Sequence, residues 1–185
     1  MKKQTFLVFF TVVFGSYSLF AQGEKYFTRN AIISFTSVTP VEKIKSTNKQ
    51  VNCILNTKTG DMAFKAVVKS FEFDKQGMYD HFNDTYLESD KYPNATFEGK
   101  ITTPVNYGEN GKSNISFEGK LTIHGKTNPV KHTGIIEVNS GKIVAKSLIT
   151  IKLADYGISV PNDYIKKISN TVDINIDAVM TPYAR

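Results

Sequence analysis

The sequence predicts an all-β fold, an eight-stranded antiparallel barrel with one or two short helices. Apolar and polar residues alternate one by one along most of the chain, which is typical of strands with one buried and one wet face. Sequences rich in Gly and Asn separate several of the alternating runs, and such sequences form tight turns. A length of 185 residues corresponds to one domain with a short additional segment.

The additional segment is at the start of the chain and has the layout of a secretory signal peptide. Lysines at positions 2 and 3 precede an uncharged run, 5–20, that is dominated by Phe, Val and Leu and is followed by the small residue Ala21. A run of about 16 residues is short for a bilayer core of roughly 30 Å, which disfavours a membrane-spanning helix. We expect cleavage after Ala21, secretion across the inner membrane and a periplasmic domain of residues 22–185.

Eight strands are expected in this domain. The clearest is 113–123, where Phe117 and Leu121 share one face and Glu118 and Lys120 share the other. Short turns between successive strands imply antiparallel neighbours. In chain order the alternating runs are 31–38, 45–57, 62–68, 95–101, 113–123, 130–138, 143–151 and 172–180.

Two segments interrupt the alternation and predict short helices. Met78 and Phe82 recur at helical spacing in 74–87, and the segment 162–169 repeats such spacing after Pro161, a residue that favours a helix start. Two short helices cannot cover the apolar face of eight strands, so the sheet must close on itself or pack against a second sheet. Periodicity does not separate these solutions, but strands of about ten residues favour a barrel over a sandwich.

The interior of an eight-stranded barrel is wide enough to hold one small ligand when side chains do not fill it. Gly99 and Gly119 fall on inward positions, where a missing side chain leaves room or permits a bend. Sequence pattern alone leaves a packed core and a ligand cavity equally open, because both are built from apolar side chains. The side chains expected to face the lumen are Met62, Phe64, Val68, Phe71, Phe82, Phe97, Ile101, Ile115, Phe117, Leu121, Ile123, Ile149, Val172, Ile174 and Ile176.

Charge and cysteine content narrow the possible partners. Removal of Lys2 and Lys3 from 23 basic residues leaves 21 against 17 acidic ones, a net charge of +4. The lysines are scattered singly between apolar positions, as on solvated strand faces, which argues against a nucleic-acid partner. Weak attraction to an anionic membrane surface remains compatible with this charge. The single Cys53 cannot form an internal disulfide and is expected to be a buried, inert thiol.

No constellation of residues indicates an enzyme. The histidines at 81, 124 and 132 lack metal-motif spacing. We expect His124 to hydrogen-bond a turn, His81 to fix the first helix against the barrel and His132 to be exposed. Convergence of the first two on a haem or a metal is the alternative. Carboxylates on wet strand faces, such as Asp173 and Asp177, have no reason to do acid–base work. We predict no catalytic residue, no metal site and no cofactor.

Several segments together resemble the YceI-like family. Its central signature is similar to SFEF, HFN and YLESDKYPNATFEG at 70–73, 81–83 and 86–99, its second to GKLTIHGKTNPV at 119–130, and its third to DYGI at 155–158. With the early strand ISF at 33–35, the resemblance covers nearly the whole exported domain. One departure is that Lys126 and Asn128 stand where the second signature usually has Val and Lys, which puts in doubt a role of that loop in ligand entry.

The resemblance implies a lipocalin-like barrel that carries a long-chain lipid, typically a polyisoprenoid or an isoprenoid quinone, on apolar lumen side chains. It implies no catalytic residues. Tyr79, Tyr92, Tyr156, Lys91 and Asn83 are candidates for contact with the lipid's polar head. A homodimer and a transient contact with a membrane surface are compatible with this function. The alternatives are a structural or interaction module with a filled core, and a haem-binding redox partner.

Overall fold

The computed structural model describes residues 24–183, which form a closed antiparallel barrel. Strands that are consecutive in sequence are neighbours in the barrel, and the last strand pairs with the first. This confirms the predicted barrel and excludes the sandwich; the expected signal peptide lies outside the described residues. The strands are β1 (Lys25–Val38), β2 (Lys43–Asn56), β3 (Asp61–Val67), β4 (Asn94–Ile101), β5 (Gly111–Ile123), β6 (Lys126–Asn139), β7 (Lys142–Lys152) and β8 (Thr171–Pro182).

The first strand begins earlier than the sequence predicts, at Lys25 and not at residue 31. Its register shifts between Thr28 and Ala31, where polar residues break the apolar alternation. An irregularity of this kind moves side chains off the expected face and hides the strand from a period-two pattern. The sequence therefore indicates only the regular second half of β1.

The first predicted helix is present, and the prediction of the second helix is wrong. The helix α1 (Gln76–His81) continues directly into a π-helical turn (Phe82–Tyr86), and we call residues 76–86 the lid. In place of the helix expected at 162–169 there is one 3-10 turn, Asn162–Tyr164. Most side chains of that segment are exposed, and an isolated helix of this length is not stable without a buried apolar face. Within residues 24–183 no helix has the length and apolar character needed to cross a bilayer.

The two ends of the barrel differ in how they are covered. At the end that we call the lid end lie the β1–β2 loop, the lid, the His124–Gly125 turn and the connection 153–170. At the opposite end, the floor end, lie the turns 57–60 and 140–141 and the loop 102–110. Both 3-10 turns that directly follow strands, Val68–Ser70 and Leu153–Tyr156, belong to the lid end.

Side chains fill the floor end. The sulfur atoms of Cys53 and Met180 lie 3.4 Å apart there, and burial raises the pKa of the Cys53 thiol to about 12. The expected buried thiol is thus confirmed. Other buried side chains in the same halves of the strands are Tyr26, Val51, Leu55, Ile101, Ile136, Val138 and Ile143. The barrel therefore has a closed floor, and only its other half can enclose a ligand.

The two inward glycines make room for one aromatic ring. Gly99 and Gly119 are direct partners across β4 and β5. A Cβ atom on Gly119 would lie 2.6 Å from the Cα of Gly99 and 2.7 Å from Cζ of Phe97. Both distances are below those of real Cβ contacts, so the Phe97 ring occupies the space that the two absent side chains leave.

The ladder between β6 and β7 is interrupted. Only 135–139 of β6 pair with 142–146 of β7, while 126–134 pair with β5 alone and 147–152 with β8 alone. The segment 153–158 covers this gap with the buried side chains of Tyr156 and Ile158. Side-chain hydrogen bonds hold the gap together, from Asn128 Nδ2 to the Asp155 carbonyl (2.8 Å) and from Ser147 Oγ to the Thr133 carbonyl (2.7 Å).

Candidate functional site

A cavity of about 480 Å³ occupies the barrel from its middle to the lid end. All eight strands contribute to its wall, and the lid and the connection 153–170 lie over its upper end beside the mouth. About three quarters of the residues that line the wall are Ile, Leu, Val, Phe, Met or Ala. Many of them are only half-buried although they point inward, because one side of each faces the cavity; Ile33, Phe35, Phe64, Ile174 and Ile176 are examples.

The structure places all but one of the predicted lumen residues on this cavity. Ile101 is the exception: it is buried at the floor end, where it is the β4 partner of Phe117. Alternation along a strand assigns a residue to a face but carries no information on its depth in the barrel. The predicted residues on the cavity are Met62, Phe64, Val68, Phe71, Phe82, Phe97, Ile115, Phe117, Leu121, Ile123, Ile149, Val172, Ile174 and Ile176.

Sequence reasoning missed part of the wall, on β1, on several other strands, in the lid and in the connection 153–170. Ile33 and Phe35 line the cavity and alternate with Ser34 and Thr36, a signal that was present in the weak run 31–38. Further cavity residues that were not singled out for the site are Ile44, Ala66, Phe73, Met78, Tyr86, Leu87, Ala95, Val130, Ala145, Ile151, Leu153, Ile158 and Ile168.

Four phenylalanines join the lid to the barrel. The Phe82 ring on the lid lies 5.0 Å from Phe73, 5.5 Å from Phe35 and 5.6 Å from Phe71, measured between ring centroids. Phe35 also contacts Phe71 and Phe73 at 5.6 and 5.9 Å. All four rings line the cavity. Such pairs each contribute about 0.5–1.5 kcal/mol beyond area burial, so this cluster stabilises the packing of the lid against the barrel.

The polar groups of the cavity are concentrated at its mouth. Glu42, Lys75 and Lys167 are charged and Tyr86 and Tyr164 carry hydroxyl groups. Burial raises the pKa of the Tyr86 phenol still further above neutral pH, and its neutral hydroxyl can donate a hydrogen bond. Deeper in the barrel the wall is apolar apart from small polar residues. Lys146 also borders the cavity there, but its side chain is exposed and its ammonium group pairs with Asp177 at 3.1 Å.

The residues suggested for a lipid head group lie elsewhere. Asn83 is buried and its Nδ2 donates to the Tyr79 carbonyl at 2.9 Å, while Tyr156 covers the β6–β7 gap. Tyr92 packs its ring edge-on against His124, with centroids 4.8 Å apart, and the ammonium group of Lys91 lies over the Tyr92 ring. None of these residues, nor Tyr79, contacts the cavity within residues 24–183.

The three histidines have separate roles. His124, at φ 51°, joins two neighbouring loops rather than its own turn, with Nε2 2.6 Å from a Glu88 carboxylate oxygen and Nδ1 3.2 Å from the Tyr156 carbonyl oxygen. His81 lies across the mouth from Tyr164, with ring centroids 6.3 Å apart. His132 is half-buried with its ring 6.3 Å from Phe117, so the expectation that it is exposed is wrong. Among residues 24–183 no three His, Cys, Asp or Glu side chains lie close enough to hold a metal ion.

The arrangement suits a long apolar molecule with one polar end. Burying an ion in the apolar half of the cavity would cost several kcal/mol, because the described wall offers it almost only apolar side chains there. An apolar chain meets matching surface along its whole length, and a polar end can meet Lys75, Lys167 and Tyr86 at the mouth.

Comparisons with known proteins agree with this geometry. No curated protein matches the chain. A polyisoprenoid binding domain from Saccharophagus degradans aligns with a TM-score of 0.73 at 15% identity, covering 87% of this chain and 99% of that one. BcnA of Burkholderia cenocepacia aligns with a TM-score of 0.69 at 18% identity, covering 82% and 96%. The YCEI protein of Campylobacter jejuni aligns with a TM-score of 0.57 at 16% identity over 100% of both chains.

The structural neighbours establish only the fold, because their sequence identities to this chain are below 20%. The family follows from sequence: the model of the YceI-like domain matches residues 26–180, which is almost the whole barrel from β1 to β8. The segments that resemble the family signatures contribute part of the lid, most of β4, the turn between β5 and β6 with the adjoining ends of both strands, and part of the segment that covers the β6–β7 gap. The chain therefore belongs to the YceI-like family.

Proposed function

We propose that this protein is an exported periplasmic carrier that sequesters a long-chain apolar lipid, a polyisoprenoid or an isoprenoid quinone, in the barrel. The observation that carries the proposal is the mostly apolar cavity of about 480 Å³, which is closed at one end and has its polar groups concentrated at its mouth. Its volume falls in the range of about 300–1,000 Å³ that is usual for ligand pockets. A structural neighbour that is described as a polyisoprenoid binding domain supports the choice of ligand class.

The driving force is burial of the lipid chain. A chain that loses several hundred Å² of apolar surface to the cavity gains on the order of 10 kcal/mol at about 25 cal/mol per Å². Association and chain ordering cost several kcal/mol, which leaves enough for useful affinity. No bond is made or broken, so the chain's residues act by excluding water and shaping the cavity.

The filled floor supports one direction of binding. Cys53, Met180 and their neighbours block the far end, so a lipid enters through the lid end with its apolar tail first. Its polar head then remains at the mouth beside Lys75, Lys167 and Tyr86. Movement of the lid away from the four-phenylalanine cluster opens the path for entry and release.

Export and partners complete the proposal. The signal-peptide layout of residues 1–21 supports secretion to the periplasm, where free lipid chains need a carrier. A carrier of this kind meets a membrane transiently to collect or deliver its ligand, and a homodimer is compatible with the same function. A structural module with a filled core would have no need of the cavity, and haem binding has no support from the position of His124.

The first test is native mass spectrometry of the protein isolated from its own periplasm, followed by solvent extraction of any bound molecule. We expect a processed chain that starts at Gln22 and carries one isoprenoid or quinone per barrel. A lipid-free mass that persists after incubation with polyprenols and fatty acids would contradict the carrier function. A Soret absorption band in the isolated protein would favour the haem-binding alternative instead.

A further inference from the structure

Large apolar side chains are exposed beside the mouth of the cavity. Val38 and Val41, at the two ends of the β1–β2 loop, are 57% and 66% exposed, and Ile165, after the 3-10 turn, is 53% exposed. With Pro40 and Tyr164 they form what we call the rim patch. A second depression, bounded by residues of 38–41 and 165–171, runs between its two halves.

The rim patch is part of a defined surface and not of two loose loops. The backbone N–H of Ser169 donates to Ser37 Oγ at 2.9 Å, which ties the connection 153–170 to β1. The hairpin loop is closed by Thr39 N–H donating to the Glu42 carbonyl at 2.9 Å and by Glu42 N–H donating to Thr39 Oγ at 3.1 Å. The exposed apolar side chains are therefore held in place at two fixed points of the lid end.

The rim patch is continuous with the cavity. The mouth is lined by Glu42, Tyr164 and Lys167. Glu42 directly follows Val41, Tyr164 belongs to the rim patch and Lys167 lies two residues after Ile165. Ile168 borders both the cavity and the depression between the two halves of the patch. A surface that covers the rim patch would therefore also face the entrance of the lipid path.

The charges around the rim patch are predominantly positive. Lys43, Lys45, Lys166 and Lys167 lie in the same segments, against Glu42 and Asp163. In the part of the chain that the structure describes, none of these four lysines forms an ion pair. On the barrel wall, by contrast, lysines such as Lys112 and Lys131 are neutralised by Glu137 and Glu118.

We propose that the rim patch docks on an anionic lipid bilayer, with its apolar side chains inserted at the headgroup level and its lysines at the lipid phosphates. Apolar side chains ringed by lysine are the composition of surfaces that bind the interface of anionic membranes. Docking in this way places the mouth against the bilayer, so that a lipid passes into the cavity without crossing water. The purpose of docking rests on the proposed carrier function; the docking itself does not.

Flotation of the processed protein with vesicles tests the docking. We expect binding to vesicles of phosphatidylcholine with phosphatidylglycerol, and weak binding to phosphatidylcholine alone. The double variant V41D/I165D should lower the partition coefficient about tenfold or more, since it removes apolar insertion and adds repulsion. K166Q/K167Q should lower binding to the anionic vesicles only. The matched control is Val179→Asp, an exposed apolar residue of β8 near the floor end that is 49% exposed.

Two measurements keep this proposal separate from the carrier function. Uptake of a short prenol from aqueous solution should be the same in the wild type and V41D/I165D, while extraction of lipid from vesicles should be slower in the variant. If no protein takes up prenol but the flotation pattern holds, the carrier function fails and the docking stands. Equal flotation of the wild type and V41D/I165D would overturn the docking. So would the absence of binding to either vesicle, which would point to a protein partner.

Discussion

Two adjacent residues of β7 show how sharply the barrel wall separates its faces. Ile149 lines the cavity and is 6% exposed, whereas Leu148 points outward and is 64% exposed. Replacing Ile149 with Asp places a carboxylate without a partner in the apolar half of the cavity, at a cost of several kcal/mol when a lipid excludes water from it. We expect I149D to abolish uptake of a polyprenol in a binding assay, and L148D, the matched control, to bind as the wild type does.

The control for this experiment is folding. Far-UV circular dichroism and thermal melting separate a folded I149D that cannot bind from one that does not fold. Ala145→Phe provides an independent variant, since it fills cavity volume with an apolar ring at an overpacking cost of about 1–3 kcal/mol. Normal uptake by a folded I149D or A145F would show that the lipid binds elsewhere.

The paired glycines allow a prediction about stability. A Cβ on Gly119 would meet the carbonyl oxygen of Glu98 and the Cα of Gly99, which are backbone atoms that cannot rotate away. We therefore expect Gly119→Ala to lower the free energy of unfolding by about 1–3 kcal/mol in urea denaturation. Gly111→Ala is the matched control in the same strand, because nothing lies within 4 Å of its Cβ position. A loss of stability in G111A equal to that in G119A would contradict this explanation.

The buried thiol predicts a loss of stability at high pH. Burial raises the pKa of Cys53 from 9.0 to about 12, so above pH 9 the unfolded chain loses this proton while the folded chain keeps it. Ionisation of the thiol should not affect the free energy of unfolding below pH 9. Between pH 9 and 12 it should lower this free energy by up to about 1.4 kcal/mol per pH unit. Urea unfolding at a series of pH values should show a shallower fall in Cys53→Ala than in the wild type. Identical slopes in both proteins would argue against a buried thiol.

At the scale of the elements, a strand can be predicted from sequence to the extent that its alternation is unbroken. β5 has strict alternation, and its predicted residues 113–123 are part of the observed strand. The irregular first half of β1 was not predicted, because its alternation is broken. The segment after Pro161 has helical spacing but too little apolar burial to support more than one turn. A local sequence pattern thus indicates secondary structure only where tertiary packing stabilises that structure.

The lid packs against the rest of the protein through the ring of Phe82. Phe82 makes three of the ring contacts that join it to the barrel. Phe82→Ala should therefore speed the release of bound lipid, roughly tenfold if about 1.4 kcal/mol of the lid's contact energy is lost. The rate is measured by transfer of a fluorescent prenol to acceptor vesicles. Phe27→Ala is the matched control, because Phe27 is also half-buried and pairs with an aromatic ring, Tyr183, away from the lid. Equal release rates in both variants would show that the lid does not control the exit.

At the scale of the whole molecule, the wall of the candidate site could be predicted and its boundaries could not. Period-two patterns identify inward residues, which is why most predicted lumen residues lie on the cavity. Whether an inward residue belongs to the floor, like Ile101, or to the cavity, like Ile115, depends on strand stagger and on side chains from other strands. The mouth depends on how the lid and the connection 153–170 fold over the barrel, which no local pattern encodes.

A cavity with a closed floor predicts how affinity depends on chain length. Each added isoprene unit buries further apolar surface until the tail reaches the floor, and later units remain outside. The dissociation constants of a prenol series, measured by displacement of a fluorescent lipid, should fall steeply with length and then reach a plateau. Affinity that kept rising with every added unit would indicate an open tube, contrary to the packing around Cys53 and Met180.

The interrupted ladder between β6 and β7 is where we expect the barrel to widen most easily. Residues 126–134 and 147–152 each hold one neighbouring strand only, so they can separate without breaking any strand-to-strand backbone hydrogen bond. What resists their separation is the segment 153–158 and the side-chain hydrogen bonds of Ser147, Asn128 and His124. The cost of widening is therefore a few side-chain contacts, and we expect the same barrel to accept chains of different thickness while its floor and its other ladders stay unchanged.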